Sequence, residues 1–264
     1  MIAIILIVFG LCLGSFLNAM VWRMHLGKDW VRGRSECDNC GHRLSVADLL
    51  PLFSWLALGG RCRYCKQSIS WQHPAVELAM AGVFVASYHF WPGGVLGAGQ
   101  GILFITWLLS SVGLMALLLY DLRHMLLPSH ILYPTFAVAA TGRLVYILRY
   151  SDNVAHSFWL LALSLAVASG VFLLLFYVSR GRWIGFGDVR LGLITGTLLA
   201  TPAKSFLMIF LASLLGSMFA LPAVAAGRSK MSSRIPYGPF LIAATAITLL
   251  FGQSFITWYQ NHLL

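Results

Sequence analysis

The sequence predicts an all-α polytopic membrane protein with about eight transmembrane helices and one small polar module between the first and second. Three observations predict it. Hydrophobic residues make up 59% of the chain and charged residues only 10%, whereas about a quarter of a soluble domain is charged. The apolar residues fall in runs near 20, the helical length that crosses a hydrocarbon core of ~30 Å. The charges collect between those runs. With a mean hydropathy of +0.82, a soluble globule is excluded.

The first span is expected at 2–22. It lacks the basic start of a signal peptide and is long enough to cross the bilayer, so it is expected to be retained. Further spans are expected at 74–91, 101–120, 128–148, 156–178, 188–201, 204–226 and 238–258. The sixth is short: Val189 to Ala200 supplies about 12 residues, ~18 Å of helix, before Thr201-Pro202 interrupts it. A short span implies local thinning or water access near its start. Gly10-x-x-x-Gly14 and Gly192-x-x-x-Gly196 permit close helix approach.

Loop charges set the orientation. All of the 18 Lys and Arg except Arg143, Arg149 and Lys204 fall in loops on one side of this span order, among them Arg32, Arg190 and the loop Arg228 to Arg234. By the positive-inside rule that side is cytoplasmic and the N-terminus is periplasmic. The net charge of +10 is therefore a topology signal facing the lipid bilayer. Without a folded basic face or an aromatic stacking platform, nucleic acid is not an expected partner.

The polar segment contains Cys37-x-x-Cys40 and Cys62-x-x-Cys65. Two such knuckles put four thiolates within reach of one tetrahedral zinc, which would be structural because four cysteines close the coordination shell. The alternative is reduced, metal-free cysteines, since a cytoplasmic loop disfavours disulfides. The expected organisation is a first membrane helix at 1–22, a cytoplasmic zinc module at 23–72 and a membrane core at 73–264.

Only eight residues are acidic. Asp121 ends the third span and Asp188 starts the sixth, and on this topology both lie at the cytoplasmic edge. Carboxylates at a hydrocarbon edge are unfavourable without a partner or a function. Paired aspartates can share a proton, one acting as base on a water while the other polarises a carbonyl, which is peptide hydrolysis without a catalytic metal. Asp188 at a helix N-terminus is the expected ionised partner, and Asp121 at a helix C-terminus the protonated one. Gly185 and Gly187 precede Asp188. Having no Cβ, they allow a sharp turn and the close approach of an extended peptide. Glu77, expected in the first turn of span two, either complements that helix terminus or contacts a substrate or cofactor.

Together these residues resemble the bacterial type IV prepilin peptidases (leader peptidase/N-methyltransferases), a branch of the Gly-x-Gly-Asp intramembrane aspartyl proteases. The resemblance covers nearly the whole chain: Gly14-Ser15-Phe16-Leu17-Asn18 and Arg23, the two Cys-x-x-Cys knuckles, His73-Pro74-Ala75-Val76-Glu77-Leu78, Asp121-Leu122 with Pro128, Gly185-Phe186-Gly187-Asp188 with Leu191, and Ile235-Pro236-Tyr237-Gly238-Pro239-Phe240. Arg190 departs from a usual Lys, and Ser129 from a frequent acid. The resemblance implies an inner-membrane enzyme that cleaves type IV prepilin or type II secretion pseudopilin precursors after the glycine ending a basic leader. It also implies methylation of the new N-terminus with S-adenosylmethionine. A transporter or channel whose aspartates relay protons is the alternative, but it would carry acids nearer the bilayer middle, and this chain has none there.

Overall fold

The computed structural model describes residues 1–30, 33–225 and 235–263. Arg32 and the loop from Arg228 to Arg234, both used above for orientation, lie outside the described residues. Among the described residues there is no strand beyond two isolated bridges, Glu36 with Arg43 and Arg61 with Ser68. The chain divides into two compact units, 1–89 and 90–264.

The first unit is built on α1 (Ile2–His25) and α3 (Gln72–His89), with the polar segment between them. The expected small-residue contact is present. A Cβ on Gly10 would lie 2.5 Å from Ala81 Cα, and one on Gly14 would lie 2.6 Å from Glu77 Cα, so only hydrogen fits where α3 crosses. The polar segment contains a 3-10 turn at Val46–Leu49 and a short α2 (Phe53–Ala57).

The second unit holds α4 (Ala98–His124), α5 (Ser129–Tyr150), α6 (Val154–Ala168), α7 (Gly170–Ser179), α8 (Phe186–Leu199), α9 (Pro202–Ala225) and α10 (Gly238–Leu263). Helices α6 and α7 form one span, Val154–Ser179, with a local irregularity at Ser169. Among the described residues, eight helical segments thus stand where eight spans were expected, and six are long and apolar enough to cross a membrane. The other two are α3, diluted by Gln72, His73, Glu77 and His89, and α8, which has only 14 residues.

α8 is the central helix of this unit and contacts α5, α6, α7, α9 and α10. Nearly everything after its first turn is buried, including Leu191, Ile194 and Thr195. Gly192 and Gly196 press against Ala168 so closely that added methyl groups would collide with its carbonyl oxygen and Cβ. The last carbonyls of a helix have no intrahelical partners, and leaving them unpaired away from water is costly. Here Arg143 of α5 donates from Nε to Thr197 O (3.1 Å) and from Nη2 to Leu198 O (2.5 Å). Ala200 adds a left-handed cap with φ +55° and donates its N–H to Gly196 O. The shortness of α8 is therefore resolved at its C-terminal end by protein donors.

Candidate active site and metal centre

The metal centre lies in the first unit. Each Cys-x-x-Cys closes into a tight turn: Cys37 N–H donates to His42 O (2.9 Å) and Cys62 N–H to Gln67 O (2.8 Å). The residue after each second cysteine is left-handed, Gly41 at φ +67° and Lys66 at φ +60°. The two turns bring Cys37, Cys40, Cys62 and Cys65 together, all four Sγ atoms within 4.8 Å of one another. Cys37 Sγ and Cys65 Sγ are 3.9 Å apart. A tetrahedron of ~2.3 Å metal–sulfur bonds has edges of about 3.8 Å, so this donor set can hold a metal ion. The Asn39 amide donates to Cys65 Sγ (3.7 Å), which orients that sulfur in the cluster.

Asp48 braces the second knuckle, accepting from Arg63 Nε (2.6 Å), Ser45 Oγ (2.7 Å) and Tyr64 OH (3.3 Å). The Ser45 hydroxyl foremost, with the Arg63 guanidinium, holds its carboxyl at about 2.

In the second unit the structure brings Asp121 and Asp188 together. Asp121 is buried, 5% exposed, in the last turn of α4. Asp188 is half-buried in the first turn of α8, and the two carboxyl groups interact electrostatically. Gly185 is the N-cap of α8, and the Asp188 carboxylate three residues on reaches back to its N–H, half of a capping box.

Asp121 has a partner that sequence reasoning missed. Its carboxylate accepts the backbone N–H of Gly238, the first residue of α10. A Cβ on Gly238 would lie 2.5 Å from Asp121 Oδ2 and 3.7 Å from Leu191 Cδ2 of α8, so the ends of α4, α8 and α10 converge there. The helix-terminus asymmetry expected between the aspartates loses its premise, because each carboxylate now faces a helix N-terminus. Tyr237 also lies within electrostatic reach of Asp188, with its OH 3.3 Å from Ser213 Oγ. The legible signal for both residues was the Pro-Tyr-Gly-Pro sequence before the last span.

The conformational freedom that glycine allows is not used at Gly185. Gly185 has φ −76°, and in this loop positive φ falls on Arg180 and Gly181. Close approach is what Gly187 provides, since a Cβ there would meet Leu127 Cδ1 at 3.1 Å. The two departures from the family pattern touch each other: Arg190 Nη1 donates to Ser129 Oγ (2.8 Å). A neutral hydroxyl accepts from a cation here, and the guanidinium also lies 5.5 Å from the Phe186 ring centroid.

Glu77 lies beyond the first turn of α3, because that helix begins at Gln72. Buried and 5% exposed, it accepts the Leu52 N–H (2.6 Å) and a hydrogen bond from Ser15. Nearby, Asn18 donates to Gly14 O and His73 O and accepts from Gln72. These bonds fasten the polar segment to α1 and α3.

Known proteins place this geometry in a family. Residues 8–91 match the Bacterial Peptidase A24 N-terminal domain and residues 107–221 the Type IV leader peptidase family. A protein of Bacillus subtilis (strain 168) named Prepilin leader peptidase/N-methyltransferase is 31% identical over 97% of this chain and 96% of its own length. Proteins of the same name from Aeromonas hydrophila and Stutzerimonas stutzeri are 31% and 27% identical over 97% and 96% of this chain, and 93% and 92% of their own lengths. No solved structure matches. The chain belongs to the type IV leader peptidase family.

Proposed function

We propose that the protein is a prepilin peptidase, an intramembrane aspartyl endopeptidase that cleaves the basic leader from type IV prepilins or type II secretion pseudopilins and then methylates the new N-terminus. The observation that carries this reading is the convergence of Asp121 and Asp188 where α4, α8 and α10 meet. The pair shares one proton. The ionised carboxylate takes a proton from water as the oxygen attacks the scissile carbonyl, and the protonated partner donates a hydrogen bond to that carbonyl. The tetrahedral intermediate collapses as the leaving nitrogen is protonated, freeing a carboxylate on the leader and an amine on the mature chain. The N–H groups of Gly185 and Gly238 orient the two carboxylates, while the backbone around Gly185 and Gly187 lies along the path of the extended substrate.

Membrane orientation follows from the loop charges: a multi-pass protein of the inner membrane, N-terminus periplasmic and aspartates at the cytoplasmic face. A substrate with its apolar helix in the bilayer and its leader in the cytoplasm presents the scissile bond at that depth. The division into a helix at 1–22, a zinc module at 23–72 and a catalytic core at 73–264 belongs to the same proposal. Zinc fits Cys37, Cys40, Cys62 and Cys65 by donor type and spacing, and bound there it would cross-link the two knuckles. S-adenosylmethionine would supply the methyl group. Glu77, which accepts from Leu52 and Ser15, is the residue proposed to contact it.

The test incubates purified protein with a prepilin peptide, with and without S-adenosylmethionine, and reads product masses. Asp121→Asn and Asp188→Asn each abolish cleavage, and the double variant is hardly worse than either, since groups acting as one unit are non-additive. Near wild-type cleavage by either folded variant ends the assignment.

A further inference from the structure

At the end of the second unit away from the aspartates lies a cavity of about 270 Å³ lined by residues of α4, α5, α6, α8, α9 and α10. Two of the three Lys and Arg expected on that side of the membrane, Arg143 and Lys204, line it. No carboxylate does, and neither cation has an ion-pair partner among the described residues. Arg143 directs two N–H groups to the carbonyls ending α8 and lies against the Tyr146 ring, 5.8 Å from its centroid. A guanidinium has five N–H donors, so others remain. Lys204, half-buried in the first turn of α9, makes no hydrogen bond among the described residues. A third donor lines the same cavity: Gln100 Oε1 accepts the Trp91 indole N–H (3.1 Å), which leaves the Gln100 NH₂ as its donor end.

Two like charges sharing an apolar-walled cavity repel each other and are poorly solvated. An anion between them removes both costs. The cavity is the right kind of place for one carried on hydrocarbon. Pro92 and Thr201, in connections between helices, and Ser157, in the first turn of α6, mark its interfacial end, while Leu103, Leu160 and Leu249 extend it toward the acyl region. Arg143 is seven residues, ~10 Å, from the end of α5, within reach of a headgroup at the interface.

We propose that this cavity binds the phosphate group of an acidic phospholipid from the leaflet at that end of the helices, with Arg143, Lys204 and the Gln100 amide as donors. Occupancy would hold Arg143 in place as the cap of α8, whose other end carries Asp188.

The test uses the full chain in neutral detergent, with bound lipid read by native mass spectrometry and thermal unfolding by tryptophan fluorescence, neither of which depends on the proposed peptidase activity. Phosphatidylglycerol, phosphatidylcholine and inorganic phosphate are the three probes. Wild-type protein is expected to retain one phosphatidylglycerol in preference to phosphatidylcholine. Lys204→Gln is expected to weaken retention about fivefold, as one basic contact contributes ~1 kcal/mol. Arg143→Gln also uncaps α8 and can unfold the chain, so Gln100→Leu is the second variant and should likewise weaken retention. Arg149→Gln, at an exposed position outside the cavity, is the control and should change nothing. Equal retention of the two lipids, or no effect of Lys204→Gln, overturns the proposal. Stabilisation by inorganic phosphate as large as that by phosphatidylglycerol overturns the lipid source and assigns the cation pair to a soluble anion.

Discussion

Gly238→Ala is the perturbation that most directly tests how Asp121 is held. A methyl group built on Gly238 lies 2.5 Å from Asp121 Oδ2 and 3.4 Å from its Cγ, and such contacts essentially never fall below 3.0 Å. The carboxyl must therefore shift by at least about half an ångström, or rotate away and lose the Gly238 N–H. Misplacing a reacting group on the order of 1 Å costs about 10²-fold. A loss of ~10- to 100-fold in cleavage rate is expected, equivalent to ~1.4–2.7 kcal/mol of transition-state stabilisation. Stability should change little, because Gly238 is the first residue of α10 and the clash falls on the far end of one side chain. The assay measures initial rates on a prepilin peptide in liposomes beside thermal unfolding of the same preparations. Gly216→Ala is the control, since its methyl would meet only the Phe240 ring at an ordinary 3.5 Å. Wild-type cleavage by folded Gly238→Ala would refute the claim that this N–H positions the catalytic carboxyl. A loss of rate explained entirely by unfolding would refute it as well.

Replacing any one of Cys37, Cys40, Cys62 and Cys65 by Ser is expected to lower bound zinc, measured by metal analysis, and to loosen residues 24–71 to proteolysis. Immediate inhibition by a chelator without loss of structure would point instead to a catalytic metal. Glu77→Gln keeps an acceptor for Leu52 and should change stability by ~1 kcal/mol or less with cleavage retained. Glu77→Ala leaves that N–H unpartnered and should cost ~1–3 kcal/mol in denaturant unfolding. If Glu77→Gln removes methylation alone, read as product mass with S-adenosylmethionine, the cofactor contact gains support over the clamp. Reporter fusions after residues 45, 125, 183 and 231 should read cytoplasm, and fusions near 95 and 152 the far side. A far-side signal at 125 or 183 alone would separate the aspartates and end the dyad.

Much of this protein is decided by local sequence. Apolar runs placed eight helical segments in the observed order, six of them long and apolar enough among the described residues to cross a membrane, because in a bilayer the backbone of each span must satisfy itself. Cys-x-x-Cys spacing identified the metal cluster, since each pair closes within one turn. Asp121 and Asp188 were conspicuous for the same reason that the spans were: eight acids in so apolar a chain leave few places for a carboxylate without a function. What local sequence does not contain is which helix end faces which side chain. Nothing around Asp121 announces that the N–H of Gly238, more than a hundred residues later, will meet it. Nothing in Ser15 or Leu52 announces Glu77, and nothing in α8 announces that Arg143 will close its C-terminus. Hydrogen bonds between distant elements depend on packing register, and that register is set by contacts such as Gly14 on Glu77 and Gly192 on Ala168, which exist only once the helices have come together.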